Sequence, residues 1–182
     1  MNILLGFAPF LAFAVATSLG HLLVGLVAAT VIAAAFVVRD AIGPAHRPKL
    51  LETGTLLLFG ALTAYVALSG AAMPIPLVRL VVDGGLFVIV ALTLLARRPF
   101  TMDYAKKTVD PALWQSPRFV RTNMTISAAW AFAFLLIIVA DFVLWKGLAP
   151  AHLVTALIVA VIYAAIKFTV WYPGRQRDTA LR

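Results

Sequence analysis

No aspartate, glutamate, lysine or arginine occurs before Arg39, and residues 53–78, 122–140 and 147–166 are equally without one. Runs of this length and polarity leave little choice of fold. In hydrocarbon every backbone N–H and C=O must be satisfied internally, which a helix does within its own segment. A spanning helix needs about 20 mainly apolar residues. Cutting the chain at charges, prolines and glycines gives spans at 3–18, 21–38, 51–70, 77–96, 124–145 and 151–172. The expected fold is an all-α integral membrane protein, a single transmembrane domain over residues 1–182 with six transmembrane helices as three hairpins. The first span is short, so five full crossings are the alternative count. Composition agrees: 63% of residues are hydrophobic, mean hydropathy is +1.01, and 12% are charged, against about 25% in soluble domains.

The connections alternate in character. Gly20, Met73–Pro76 and Gly147–Pro150 are short turns, whereas residues 39–50, 97–123 and the tail from Pro173 collect most of the lysines and arginines. Basic loops stay on the cytoplasmic side, which with six spans predicts that both termini are cytoplasmic. Ala14-Val15-Ala16 resembles the end of a cleavable signal, but no basic segment precedes it, so the first span is expected to be retained. The net charge of +8 lies between apolar runs. The expected partner is therefore the anionic cytoplasmic leaflet, and no nucleic acid is expected, because no basic helix or RNA-type motif accompanies the charge.

The longest connection, residues 97–123, is both basic and aromatic. Arg97, Arg98, Lys106 and Lys107 fix topology, while Phe100, Tyr104, Trp114 and Phe119 predict an ordered segment. Thr101 is the expected N-cap of a short interfacial helix, with Phe100 and Tyr104 in the headgroup zone and the lysines toward water. Asp110-Pro111 and Ser116-Pro117 each place a capping residue before a proline at a first helical position. This loop is the expected membrane-surface or partner-docking element.

Ionisable groups at membrane depth each need an explanation. Asp83 and Asp141 lie at similar distances from the uncharged turns, Arg79 is one helical turn from Asp83, and Lys146 is near Asp141. His21 and His152 begin helices at the same level. The six form either a polar site that binds a cation or relays a proton, or ion pairs that set helix register. Glu52 stands beside Lys49, and Lys167 is expected to snorkel to the surface.

Motifs for catalysis are missing: there is no HExxH, GxSxG or phosphate-binding loop and no DxxD-type acidic cluster. With no cysteine, thiolate metal sites, iron–sulfur clusters and cysteine nucleophiles are excluded. The histidines at 21, 46 and 152 are dispersed, and His46 reads as a solvated loop residue. No cofactor, no metal and no enzymatic activity are expected.

Phe7-Ala8-Pro9-Phe10, Thr53 ahead of Leu58-Phe59-Gly60-Ala61-Leu62-Thr63, Arg97-Arg98-Pro99, Pro111 to Trp114, and Asn123 ahead of Ala129-Trp130-Ala131 together resemble the intracellular septation protein A family of bacterial inner-membrane proteins and related families. Phe100 to Tyr104, Asp83 and Asp141 depart from that pattern. The resemblance implies a multi-pass protein of the bacterial inner membrane with a cell-envelope or septation role, and it carries over no catalytic residue. The expected function is that of a non-enzymatic envelope or complex-accessory component. The alternative is a small transporter or channel for a cation, proton or small solute using Asp83 and Asp141.

Overall fold

The computed structural model describes residues 3–43, 48–70 and 73–179, which are helical with no strand among them. The helices are α1 (Ile3–Gly6), α2 (Ala8–Ser18), α3 (Leu22–Ile42), α4 (Leu50–Ser69), α5 (Ile75–Leu95), α6 (Thr101–Ala105), α7 (Pro117–Trp145) and α8 (Ala151–Thr179), with one 3₁₀ turn at Pro111–Leu113. Five of them, α3, α4, α5, α7 and α8, are long and apolar enough to cross a membrane, and α2 is a shorter apolar helix. The first apolar run is broken at Phe7. Even taken together, residues 3–18 rise only about 24 Å against a hydrocarbon core of about 30 Å.

The chain packs as two compact units, one up to Ile89 and one from Val90 onward. In the first, α2 packs on α3 and α3 on α4. Phe13, Leu26, Ala29, Phe59, Val78 and Val82 form its core, and Phe59 receives Phe10 edge-on with ring centroids 5.1 Å apart. Glycine permits close approach at two helix crossings. A Cβ on Gly25 would stand 3.1 Å from the Ala16 side chain, and one on Gly85 would stand 2.5 Å from Leu58. Thr30 donates to the Leu26 carbonyl at 2.8 Å, so its 2.9 Å contact with Thr63 is a bond donated by Thr63, joining α3 to α4.

In the second unit α7 packs on α8 and α6 on α7. Ile126, Trp130, Ala133, Ile137 and Ala140 mark the buried stripe of α7, and Val154, Ile158 and Ala165 that of α8. Their spacing of three, four and seven is that of one helix face. Trp130 Nε1 donates across the hairpin to Thr169 Oγ1 at 2.9 Å, and Thr169 donates onward to the Ala165 carbonyl at 2.8 Å. The rest of the α8 surface presents Leu153, Leu157, Val159 and Tyr163 outward. Outward apolar faces are what a lipid solvent requires.

Helix ends match the sequence where a side chain can cap. Asp110 accepts from the Ala112 N–H at 2.8 Å and Ser116 from the Phe119 N–H at 3.2 Å, each ahead of a proline. The α7 helix starts at Pro117 rather than near 124, and α8 continues through Pro173 to Thr179. Both extensions lie beyond the apolar runs, where hydropathy carries no signal.

Three helices close with one and the same hydrogen-bond pattern. After α2, Gly20 N–H donates to Thr17 and His21 N–H to Ala16; after α7, Gly147 donates to Leu144 and Leu148 to Val143; after α5, Arg97 donates to Leu94 and Arg98 to Thr93. Each is a Schellman motif, whose first residue beyond the cap adopts left-handed backbone. Glycine fills that place twice, with φ of 83° and 67°, but at α5 it is Arg97, with φ of 55°. Left-handed backbone costs a residue with a Cβ roughly 1–2 kcal/mol.

Candidate functional site

The element 97–116 joins α5 to α7, and its packing differs from the sequence expectation. Phe100 is 0% exposed and Tyr104 is also buried, so neither ring is open to lipid headgroups. The residues do share one face, as their spacing implies, but that face is covered by protein. Thr101 is not the N-cap either: the cap position is Phe100, with no side-chain bond. The Thr101 hydroxyl instead donates to the Asn123 carbonyl of α7 at 3.0 Å and therefore accepts from Ser127 Oγ at 2.9 Å. These bonds tie α6 to α7, on which the short helix packs.

What the element leaves outside is charge. Arg97, Arg98 and Lys107 are exposed, as is Arg121 on the following α7, and Leu113 is the large apolar residue that joins them at 53%. Lys106 lies over the Trp114 ring at 5.5 Å, and Trp114 Nε1 donates to the Val109 carbonyl at 3.0 Å, folding the chain back on itself. The cation–π contact holds the stem of Lys106 against the indole, as an amphipathic side chain does at an interface.

The six candidate polar residues fall into two sets. In the first unit Arg79 and Asp83 are half-buried, one turn apart on α5, and His21 is exposed at the start of α3. His21 also stands at one end of an open apolar groove of about 510 Å³ between α2 and α3, lined by Ala8, Leu11, Ala12 and Val15 among others. In the second unit Asp141 on α7 is 0% exposed, while Lys146 and His152 are exposed. Lys146 does not turn to Asp141. Five residues on an α-helix correspond to about 500°, placing the two side chains roughly 140° apart around the axis. The Lys146 ammonium lies instead 4.2 Å from the centroid of the Trp145 ring. Lys167 likewise sits over Tyr163, at 5.5 Å.

One cluster was only half legible. The Lys49 ammonium donates to Glu52 Oε1 at 2.6 Å and also to Asp40 Oδ2. Arg39 lies 3.0 Å from Asp40 Oδ1 and 3.5 Å from Glu52 Oε1, with its guanidinium over the Phe36 ring. The result is a network of alternating charge joining the end of α3 to the first turn of α4. Glu52 beside Lys49 follows from their spacing; Asp40, nine residues upstream, becomes a partner only when the intervening loop closes. His46 and Arg47, within that loop, lie outside the described residues.

Among the described residues no three His, Asp or Glu side chains gather as a metal site. The buried charges of the α3–α4 network are neutralised by one another, an arrangement that fixes helix register. Asp141, by contrast, is a fully buried carboxylate at the depth of the apolar run, where a charged group is costly. Comparisons with family models, curated proteins and solved structures give no match to this chain.

Proposed function

We propose that the protein is a non-enzymatic component of the bacterial inner membrane, an accessory part of a cell-envelope or septation complex, with 97–123 as its cytoplasmic docking face. One observation carries this reading. The loop is built as a platform, with Phe100 and Tyr104 buried, Thr101 bonded to α7, and Arg97, Arg98 and Lys107 left outward. A connection that served topology alone would need the charges but not the platform. The likeness of Arg97-Arg98-Pro99 and its companion motifs to the septation protein A family supports the same role.

The test is recovery of the protein, expressed at native level, in mild detergent. Wild type is expected to bring down an envelope or division complex in stoichiometric amount. The exposed-charge variant Lys107→Gln with Arg121→Gln is expected to lose that complex at unchanged yield. Recovery of the wild-type protein by itself would refute the docking role.

A second reading rests on Asp141. A carboxylate at 0% exposure in a membrane helix is expensive to keep, and a small transporter moving a proton or cation would have a use for it. Flux into proteoliposomes that Asp141→Asn abolishes, with an unchanged melting curve, would favour this reading. An earlier melt without loss of flux would assign Asp141 to structure.

A further inference from the structure

The same left-handed position that glycine fills after α2 and α7 holds an arginine after α5. Among the described residues Arg97 is the only non-glycine with positive φ. Nothing in the local backbone asks for a side chain there. The two closing hydrogen bonds, from Arg97 to Leu94 and from Arg98 to Thr93, are made by main chain and would survive glycine. The conformation is held from both sides, by the α5 terminus before it and by buried Pro99 and Phe100 after it. The Arg97 and Arg98 side chains are exposed at this hydrogen-bonded corner. Residues held by their surroundings in sparsely populated backbone regions cluster at active sites and ligand clamps.

Its surroundings indicate the ligand. Directly before the corner, Leu92 and Leu95 are exposed on α5, Leu95 at 80%. An apolar surface leading into two consecutive exposed arginines has the polarity order of a phospholipid, acyl chain first and phosphate next. Arginine matches a phosphate with two parallel N–H donors, which a lysine point charge does not. The helix dipole offers a simpler account, since any cation gains at a C-terminus, but lysine would serve that purpose equally.

We infer that Arg97 and Arg98 form a preorganised clamp for the phosphate of an anionic phospholipid headgroup, with Leu92 and Leu95 against its acyl chain. The clamp lies within the docking face proposed above and specifies one of its ligands, yet its test needs no partner complex. Full-length protein, delipidated in mild detergent, is titrated with dioleoyl phosphatidylglycerol, and occupancy of the first bound lipid is read by native mass spectrometry. Losing a charge-assisted bidentate contact is expected to weaken this step at least about tenfold in Arg97→Gly. Its thermal midpoint is expected to rise, because glycine relieves the left-handed backbone. Arg97→Lys, which keeps the charge and the dipole contact, is expected to fall between the two.

Binding by Arg97→Gly within about twofold of wild type would overturn the clamp, and Arg97→Lys binding as tightly as wild type would reduce it to a point charge and overturn the bidentate assignment. Displacement of the lipid by millimolar inorganic phosphate would overturn the choice of a lipid as the source of the phosphate. Loss of lipid in Arg97→Gly with an intact partner complex, or the reverse, separates this inference from the docking role.

Discussion

Replacing Lys49 with methionine tests whether the α3–α4 network is the low-dielectric ion cluster its geometry describes. Lys49 is 6% exposed and bonds two carboxylates, Asp40 and Glu52. Methionine preserves most of the stem but removes the cation, so two carboxylates face each other with Arg39 as the remaining counter-charge. Breaking a buried pair by removing one partner costs about 3–5 kcal/mol. Arg39 stays 3.0 Å from Asp40 and 3.5 Å from Glu52, which argues for the lower end, about 3 kcal/mol or somewhat more than a hundredfold in the unfolding equilibrium. Arg39 supplies the internal control. Its side chain is 51% exposed, so Arg39→Gln should cost no more than about 1 kcal/mol. Unfolding in mixed micelles with rising dodecyl sulfate, followed by far-ultraviolet circular dichroism, compares the two. Adding Glu52→Gln to Lys49→Met should return part of the loss, since one of the stranded charges is then removed. Equal costs for Lys49→Met and Arg39→Gln would refute the burial argument.

Three further substitutions probe the packing of each unit. Thr101→Val removes the hydroxyl that joins the Asn123 carbonyl and Ser127; a loss of about 1–3 kcal/mol is expected, with hydrogen exchange rising first across 97–116. Gly85→Ala places a methyl where Leu58 Cδ1 stands 2.5 Å away; the forced movement of Leu58, offset by the roughly 0.5–1 kcal/mol alanine gains over glycine in a helix, is expected to leave a net loss of no more than about 1–2 kcal/mol in the same micelle assay. Thr169→Val deletes the Trp130 acceptor on α8; interhelical bonds in membranes average about 0.6 kcal/mol, so a small loss with a shifted Trp130 emission is expected.

The long helices were legible because lipid permits few alternatives, and each apolar run after the first became one helix. Their ends were legible only where a side chain does the capping, as at Asp110 and Ser116. Where a helix leaves hydrocarbon, as α7 does upstream of residue 124 and α8 beyond Pro173, polarity no longer discriminates helix from loop. Phe100 and Tyr104 show a different limit. A spacing of four places two aromatics on one face, but it does not say whether lipid headgroups or a neighbouring helix covers that face, since aromatic rings suit both. The Lys146 placement was decidable from helix geometry, as five residues turn it away from Asp141. Sequence depth located Asp141, while its complete burial depends on packing that no local pattern encodes.

The burial of Phe100 and Tyr104 also changes which substitutions can interrogate the loop. Truncating a buried ring leaves a cavity and costs about 3–5 kcal/mol for a phenylalanine, a large perturbation beside a helix of five residues. A partner lost in Phe100→Ala would report the collapse of the platform and say nothing about what the platform touches. The exposed charges behave differently. Lys107 and Arg121 stand outside the packed face, so changing them alters the field at the surface while Thr101 and the aromatics keep α6 in place. A docking role is therefore a statement about the lysines and arginines, and the aromatics are the reason those charges are held in one arrangement.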